Sequence, residues 1–245
     1  DEIGELASTI DILSSKLDEA SRESEMLQKQ RQDFITNISH ELRTPVTVIR
    51  GSLEALCDGI IKDPEKINDY YKQMLNDSKS LERLVNDLLE LSRLQNADFK
   101  IDMAEINLCD VLKDAIRSAS NIAQTKNIKI EYHHNKDVFL INGDYGLRQM
   151  FIIIIDNAVK FSYESSKIYI DLKGQSKSIR DEGIGISKEN LPYIFDRYYR
   201  VKSIENKSGT GLGLTIAKQI ALRHNINLSV VSKQGVGTTF EFYIK

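Results

Sequence analysis

Apolar residues recur at helical spacings through the first sixty positions of the chain. They fall three or four residues apart, or at sums of those spacings, at Leu6, Ile10, Leu13, Leu17, Leu27 and Phe34. The pattern predicts one long helix from Ile3 to about Ile60. Because a heptad stripe is buried only against a partner helix, the same pattern predicts a coiled coil in a parallel dimer.

A second helix is predicted after a short break. Asp58-Gly59 ends the first helix, and Asp63 before Pro64 is typical of an N-cap followed by the first helical residue. Apolar residues then continue at helical spacing, at Ile67, Tyr71, Met74, Leu81, Leu84, Leu88 and Leu91. This predicts a helix from Pro64 to about Gln95. Two such helices form a hairpin, and two hairpins form a four-helix bundle.

Beyond Asn96 the pattern alternates between helices and strands. Helical spacing covers residues 108–124, 144–161 and 211–224, and β-rich runs cover 128–132, 168–172, 228–231 and 238–244. The mixture predicts a second domain in which helices cover a sheet. The span 168–180 is too short for two full strands and a turn of the usual kind, so a shortened hairpin is expected before Asp181.

Length and composition agree with two soluble domains. The 245 residues include 41% hydrophobic and 28% charged residues. A net charge of −3, with both signs interspersed, disfavours binding to nucleic acid or to an anionic membrane. The longest apolar run, Phe151 to Ile155, is far shorter than the roughly 20 residues needed to span a bilayer. Cys57 and Cys109 fit no zinc pattern and are expected to be reduced. Since the chain begins at Asp1 without a signal peptide, we expect it to be part of a longer protein.

The stretch FITNISHELRTPV, residues 34–46, places a histidine beside a glutamate on the first helix. One face of this helix is apolar and carries Phe34, Ile38, Leu42, Ile49, Leu53 and Leu56. His40 lies about 200° from its neighbours on that face and therefore points to solvent. A neutral imidazole there is a nucleophile if Glu41 accepts the proton from its other nitrogen. Pro45 predicts a bend just beyond, either a switch point or a packing kink.

Two glycine clusters, DEGIG at 181–185 and SGTGLGL at 208–214, lie in the second half of the chain. Either cluster alone most often marks a turn. The second cluster, however, introduces a predicted helix, whose free backbone N–H groups favour an anion such as phosphate. It is not a Walker loop, because no Lys-Ser/Thr follows it, and its spacing is not that of a dinucleotide fingerprint.

These segments together resemble the sensor histidine kinases. FITNISHELRTPV resembles their H box, and residues 1–17 resemble the end of a HAMP signal-relay module. The resemblance implies that His40 accepts a phosphoryl group and that Glu41 is the general base. It also implies that Thr44 orients water for dephosphorylation of the partner protein.

The second half resembles the ATP-binding domain shared by histidine kinases, gyrases, Hsp90-type chaperones and MutL proteins. Asp181, Gly183 and Gly185 match the first glycine box, whose aspartate accepts a hydrogen bond from the adenine amino group. Residues 192–200 match the F box, and residues 235–240 match the final glycine strand. The second glycine box is matched by residues 209–214, with the nucleotide-binding positions Gly209, Gly211, Leu212 and Gly213.

The N box is matched by residues 156–162. The resemblance implies that Asn157 supplies an oxygen to Mg²⁺, that Lys160 contacts phosphate and that Phe161 stacks on adenine. Arg200 is implied to neutralise charge on the γ-phosphate. Relatives usually carry a second asparagine where this chain has Ile153, which puts one metal or water ligand in doubt.

The sequence therefore predicts a helical-hairpin, four-helix-bundle dimerisation domain and an α/β two-layer sandwich of the Bergerat type. The expected domains are the end of a HAMP helix at 1–20, a dimerisation and phosphotransfer domain at 21–97 and an ATP-binding catalytic domain at 98–245. A flexible joint is expected near Gln95 to Lys100, because the two domains must approach each other for phosphoryl transfer.

The implied protein is the cytoplasmic core of a sensor histidine kinase. It would be a homodimer that uses ATP and Mg²⁺ to phosphorylate His40, passes the group to an aspartate of a response regulator receiver domain and dephosphorylates that regulator. Membrane attachment is expected only through segments absent from this chain. One rival, motivated by Ile153, is a degenerate kinase acting as a dimeric scaffold. A second rival is an ATPase that uses the nucleotide only to drive a conformational change. This rival gives the HELRTP block no role.

Overall fold

The computed structural model describes residues 2–96, 98–99, 101–135, 138–144, 146–173, 176–201 and 209–244. Within these ranges, residues 2–11, 30 and 176 are described by their backbone alone. The chain forms two compact units, Asp1–Leu81 and Glu82–Lys245.

Two long helices form the first unit. Helix α1 spans Glu2–Cys57 and runs through Pro45 as one element, and helix α2 spans Pro64–Gln95, of which the part up to Leu81 belongs to this unit. The start of α2 is held as predicted by Asp63, whose carboxylate accepts a hydrogen bond from the backbone N–H of Glu65 at 3.0 Å. The predicted helical hairpin is therefore confirmed. No helix within the described residues is long and apolar enough to cross a membrane.

In the part of the second unit that the structure describes, the end of α2 is followed by three further α-helices and seven strands. In chain order these are β1 (Ala104–Asn107), α3 (Leu108–Thr125), β2 (Lys129–His134), β3 (Leu140–Gly143), α4 (Gly146–Phe161), β4 (Lys167–Lys173), β5 (Ser176–Asp181), a 3₁₀ turn (Leu191–Tyr193), α5 (Gly213–Arg223), β6 (Ile226–Lys233) and β7 (Gly237–Ile244). Five strands form one sheet in the order β2-β4-β5-β7-β6, and β1 pairs with β3. Only β2 and β4 are parallel in the five-stranded sheet. The second unit thus has the predicted architecture, in which helices cover a sheet.

The prediction of a shortened hairpin before Asp181 is wrong. Strands β4 and β5 pair in antiparallel register from Ile168 opposite Asp181 to Lys173 opposite Ser176. Two complete strands fit because only positions 174 and 175 connect them, and two residues suffice to join antiparallel strands. Those two positions lie outside the described residues.

The core of the second unit lies between the sheet and helices α3, α4 and α5. The apolar run at 151–155 is part of α4, where Phe151, Ile154 and Ile155 are buried. Phe151 meets Phe242 of β7 edge to face, with ring centroids 5.2 Å apart. Because this face of α4 is fully apolar, its polar residues lie at the edge of the core, where the candidate site is built.

Candidate functional site

His40 lies exposed on α1, as its position opposite the apolar face predicts. The hydroxyl of Thr44 donates a hydrogen bond to the backbone carbonyl of His40 at 3.2 Å. Glu41, the next residue, is half-buried. The imidazole is thus accessible, while its role as a nucleophile and its orientation by Glu41 stay predictions.

Asp181 ends β5 as a buried carboxylate held by two backbone groups. Its Oδ1 accepts hydrogen bonds from the N–H of Gly183 at 3.0 Å and of Thr238 at 3.1 Å. No described residue donates a hydrogen bond to Oδ2. Burial raises the pKa of Asp181 to about 6, although both backbone hydrogen bonds lower it. At neutral pH, Oδ2 of this buried carboxylate is therefore a hydrogen-bond acceptor. A hydrogen bond from an external donor, such as an amino group, would stabilise it.

The loop after Asp181 is fixed by close backbone contacts that only glycine permits. A side chain at Gly183 would collide with the carbonyl of Phe161, and one at Gly185, where φ is +64°, would collide with Lys233. The N–H of Ile184 donates to the Phe161 carbonyl at 3.1 Å. The Ser162 hydroxyl is buried beside this contact, and no described residue is its hydrogen-bond partner. The loop therefore packs against the end of α4 and leaves a polar atom there to be satisfied.

The last turns of α4 carry the predicted N-box side chains. The Asn157 amide donates to the backbone carbonyl of Ile153 at 2.9 Å, which leaves its side-chain oxygen as an acceptor. The ammonium of Lys160 lies 4.9 Å from the centre of the Phe161 ring. A Cβ atom at Gly209 would lie 3.0 Å from the same ammonium, so Lys160 adjoins the second glycine cluster.

Several positive charges converge around Lys160. Burial lowers the pKa of Lys160, and the charges of Arg200, Arg83 and Lys126 lower it further. Like charges that crowd one ammonium repel one another, and an anion bound among them relieves that repulsion. The neighbourhood of Lys160 therefore favours a polyanion such as a phosphate chain.

The second glycine cluster leads directly into α5. Its described part, residues 209–214, includes Gly209 with φ of +149° and Gly211 with φ of +70°, while Ser208 lies outside the described residues. Helix α5 begins at Gly213, and no side chain caps its N-terminus at the buried Leu212. The predicted arrangement of a glycine loop opening a helix is confirmed, and the uncapped end leaves N–H groups for an anion.

The second glycine cluster is supported by the F-box segment. The N–H of Tyr198 donates to the Gly211 carbonyl at 2.9 Å, and Gly211 has no room for a side chain against Tyr198. The Thr215 hydroxyl donates to the Phe195 carbonyl at 2.9 Å. Ile153 lies behind the loop, 3.3 Å from the position of a Cβ at Gly213. The position at which the resemblance puts a metal or water ligand in doubt thus carries an apolar side chain that packs on the start of α5.

The end of α2 adds residues that the sequence patterns did not identify. The Thr210 hydroxyl donates to the Asp87 carboxylate at 2.7 Å. Burial raises the pKa of Asp87, which the Thr210 hydrogen bond and the charge of Arg83 oppose. These contacts join positions more than a hundred residues apart, and no local spacing predicts them.

Within the second unit, Arg223 binds α5 to the end of α2. Its guanidinium donates to the carbonyls of Leu94 at 2.7 and 3.0 Å, Asn96 at 2.7 Å and Phe99 at 2.9 Å. Leu91 and Leu94 are buried in the same unit. These contacts do not favour a flexible joint near residues 95–100, because the described part of that segment is bound to α5.

The predicted nucleotide residues all belong to the second unit, and the predicted phosphoryl acceptor belongs to the first. The second unit holds Asn157, Lys160, Phe161, Asp181, Gly183, Gly185, Arg200, Gly209, Gly211, Leu212 and Gly213. The first unit holds His40, Glu41 and Thr44.

Two protein-family models match the chain. The model for the His Kinase A (phospho-acceptor) domain matches residues 30–97. The model for the histidine kinase-, DNA gyrase B- and HSP90-like ATPase matches residues 142–245. The first match contains His40, and the second contains every nucleotide residue predicted above.

Named relatives cover most of the chain. The phosphate regulon sensor protein PhoR of Pseudomonas aeruginosa is 35% identical over 224 residues, which are 87% of this chain and 50% of PhoR. The sensor histidine kinase WalK of Bacillus subtilis is 33% identical over 231 residues, 90% of this chain and 37% of WalK. The chain thus spans half or less of the length of these relatives.

A solved structure shares the arrangement of elements. The crystal structure of full-length ShkA in complex with AMPPNP matches with a TM-score of 0.63 and 25% identity. The match covers 84% of this chain and 44% of ShkA.

Proposed function

Because the chain belongs to the sensor histidine kinases, we propose that it transfers the γ-phosphoryl group of ATP to His40 and then to an aspartate of a response regulator. The observation that carries the proposal is the exposed imidazole of His40 in a chain that also builds a purine-and-phosphate site. A nucleotide site alone would suit an ATPase that only changes conformation as well as it suits a kinase. An exposed histidine in the HELRTP block favours the kinase, because it gives the phosphoryl group an acceptor.

In the proposed complex, Asp181 binds the purine. Its Oδ2 accepts a hydrogen bond from the adenine amino group, and this donor satisfies a buried acceptor. The Phe161 ring, half-buried at the end of α4, stacks on the base. An ATP analogue bound to ShkA, a protein of similar fold, supports a nucleotide as the ligand.

The phosphate chain lies among the converging positive charges. Lys160 and Arg200 neutralise phosphate oxygens, and N–H groups of the loop from Gly209 to Gly213 donate to them. The side-chain oxygen of Asn157 fits Mg²⁺, because the amide nitrogen already donates to the helix backbone. One protein oxygen suffices for a Mg²⁺ ion that keeps waters and phosphate oxygens as its other ligands, and the ion would neutralise charge on the phosphates.

The transfer step exchanges one bond to phosphorus for another. A ring nitrogen of His40 forms the bond to the γ-phosphorus, the bond from that phosphorus to the bridging oxygen breaks, and ADP leaves. Glu41 accepts the proton from the other ring nitrogen. The phosphoryl group then passes from His40 to the regulator carboxylate, and Thr44 orients the water that later hydrolyses it.

The proposed assembly is a homodimer formed through the first unit. Its support is the apolar side chains that a single copy leaves exposed, among them Leu53 and Tyr71. We further infer the domain limits given by the sequence, with the end of a HAMP helix at 1–20, the phosphotransfer domain at 21–97 and the catalytic domain at 98–245. Attachment to the cytoplasmic side of a membrane would come from segments outside this chain.

The test is incubation with γ-labelled ATP and Mg²⁺, followed by measurement of acid-labile, alkali-stable label on the protein. We expect label on the wild type and none on His40→Gln. His133→Gln is the matched control, since His133 is a partly exposed histidine on β2 and should leave labelling unchanged. Label on His40→Gln would contradict the proposal. ATP binding without any label on the wild type would favour the scaffold or the conformational ATPase.

A further inference from the structure

The carboxyl end of α4 is paired by groups from three different parts of the second unit. An α-helix leaves its last four carbonyl groups without partners inside the helix. The first of these in α4, on Ala158, accepts from the N–H of Ser162 at 3.0 Å. The last, on Phe161, accepts from the N–H of Ile184 at 3.1 Å. The two carbonyls between them need another donor.

Lys126 supplies that donor from the C-cap of α3. Its ammonium donates to the carbonyl of Val159 at 3.0 Å and to that of Lys160 at 2.6 Å. The side chain is only partly exposed, and a cation is favourable beside the negative end of a helix. The backbone carbonyl of Lys126 also accepts from the N–H of Ser165 at 3.0 Å. One residue therefore holds both the end of α4 and the turn that follows it.

This end of α4 is the part of the helix that faces the proposed nucleotide. Lys160 and Phe161 are consecutive there, and the Phe161 carbonyl is the contact against which Gly183 packs. A rotation of these last peptide groups would move the Lys160 ammonium away from Gly209 and would change the direction of the Phe161 ring. The direction of the two side chains depends on the peptide groups that Lys126 binds.

We propose that Lys126 is a positioning residue for the nucleotide. By holding the carbonyls of Val159 and Lys160, it fixes the direction in which the Lys160 ammonium and the Phe161 ring meet phosphate and base. It acts through α4, to whose carbonyls its ammonium donates. This proposal rests on the proposed function, because it takes ATP as the ligand.

The matched substitutions are Lys126→Met, Lys126→Arg and Lys129→Met in the full chain. Methionine keeps an apolar stem of similar length but has no donor, so both carbonyls lose their partner. Arginine keeps the charge and several donors. Lys129 is an exposed lysine three residues away that pairs with Glu131 at 3.3 Å, and Lys129→Met controls for replacing a lysine by methionine in this segment.

Binding is measured by titration calorimetry with ATP and Mg²⁺, and turnover by the initial rate of autophosphorylation against ATP concentration. For Lys126→Met we expect the Kd and KM for ATP to rise about tenfold while the maximal rate stays within about threefold. Lys126→Arg should stay within about threefold of the wild type in both constants, and Lys129→Met should match it. If Lys126→Met does not fold, Lys126→Gln, which keeps one donor group, is measured instead with the same expected direction.

Three results would overturn the positioning role. The first is unchanged ATP affinity in a folded Lys126→Met or Lys126→Gln variant. The second is an arginine variant as weak as the methionine variant, and the third is a loss confined to the maximal rate. A wild-type chain that binds no ATP would instead refute the proposed function and this inference with it, so the two failures are distinguishable.

Discussion

The two units bury their apolar residues in different ways. Among the described side chains of the first unit only Ser52 is buried, and large apolar residues such as Leu53 remain 47% exposed. In the second unit, α4 and the sheet bury residues completely, including Ile154 and Ile170. Hydrophobic residues are abundant in both units. The units differ in whether their own helices and strands cover those apolar side chains.

The difference matches the two proposed roles. A helical unit that leaves an apolar face open gains most of its stability from a second copy, and its exposed imidazole remains accessible to a donor. A unit with its own core fixes buried groups such as Asp181 at defined distances from a ligand. We conclude that this chain separates an accessible acceptor from a preorganised binding site.

The largest expected effect is the loss of ATP binding in Asp181→Asn. The substitution keeps the shape of the side chain and an oxygen for the N–H groups of Gly183 and Thr238. It replaces the second oxygen with an NH₂ donor that faces the donating amino group of adenine. We expect Kd for ATP to rise by roughly a hundredfold or more, measured by calorimetry. Retained affinity would exclude Asp181 as the purine reader.

The same carboxylate predicts a pH dependence that Asp181→Asn lacks. Its pKa is raised by burial from 3.8 to about 6 in the folded chain. The folded state therefore holds the proton more tightly than the unfolded state, and the free energy of unfolding contributed by Asp181 falls as pH rises from about 4 through about 6. ATP affinity should run the other way and weaken below about pH 6, because the protonated carboxyl is a poorer acceptor. Urea unfolding and calorimetry across pH 4–8 test both trends.

The next effect concerns assembly through the open face of the first unit. A charge at Leu53 should prevent a second copy from covering the apolar side chains, so Leu53→Glu should sediment as a monomer at concentrations where the wild type is a dimer. Val231→Glu is the control, since Val231 is similarly exposed on the edge strand β6 of the second unit. A dimeric Leu53→Glu variant would place the interface elsewhere.

A cavity in the core of the second unit should change stability without a direct effect on the acceptor. Ile154→Ala removes a fully buried side chain from α4 and should lower the free energy of unfolding by about 2–5 kcal/mol. Leu222→Ala, at an exposed position of α5, should change it by less than about 0.5 kcal/mol. Equal losses in urea unfolding would mean that α4 is not the centre of the core.

The smallest effect concerns the hydrogen bond between α2 and the glycine loop. Thr210→Val removes a hydroxyl that donates to the half-buried Asp87 carboxylate and accepts from the N–H of Leu212. Each lost hydrogen bond should cost roughly 0.5–1.5 kcal/mol of unfolding free energy. The double-mutant cycle with Asp87→Asn should give a coupling energy of the same size. Additive losses in that cycle would show that the two side chains do not interact in solution.

The sequence predicted those parts of the fold whose pattern is long and local. The helical hairpin and α3 were predicted within about three residues, because each extends over several turns. The short strands β1 and β3 were missed, since each has four residues, too few for a strand pattern to be recognised in the sequence. The β4–β5 hairpin was misjudged because the length of its connection was overestimated.

The candidate site shows the same limit. Asp181 and the glycines were found because each motif is contiguous. The contacts of Asp87 with Thr210 and of Lys126 with Lys160 were not found, since they join residues 123 and 34 positions apart. Such pairs are set by how α2, α3 and α4 pack, and no spacing rule encodes that packing.

The most direct test of the central claim is to locate the phosphoryl group on the protein. The chain is incubated with ATP and Mg²⁺, digested at alkaline pH to preserve phosphohistidine, and the peptides are sequenced by mass spectrometry. We predict a single phosphorylated peptide that contains His40, with the added mass on that residue. Phosphate on a different residue, or ADP formation without any phosphorylated peptide, would contradict the account.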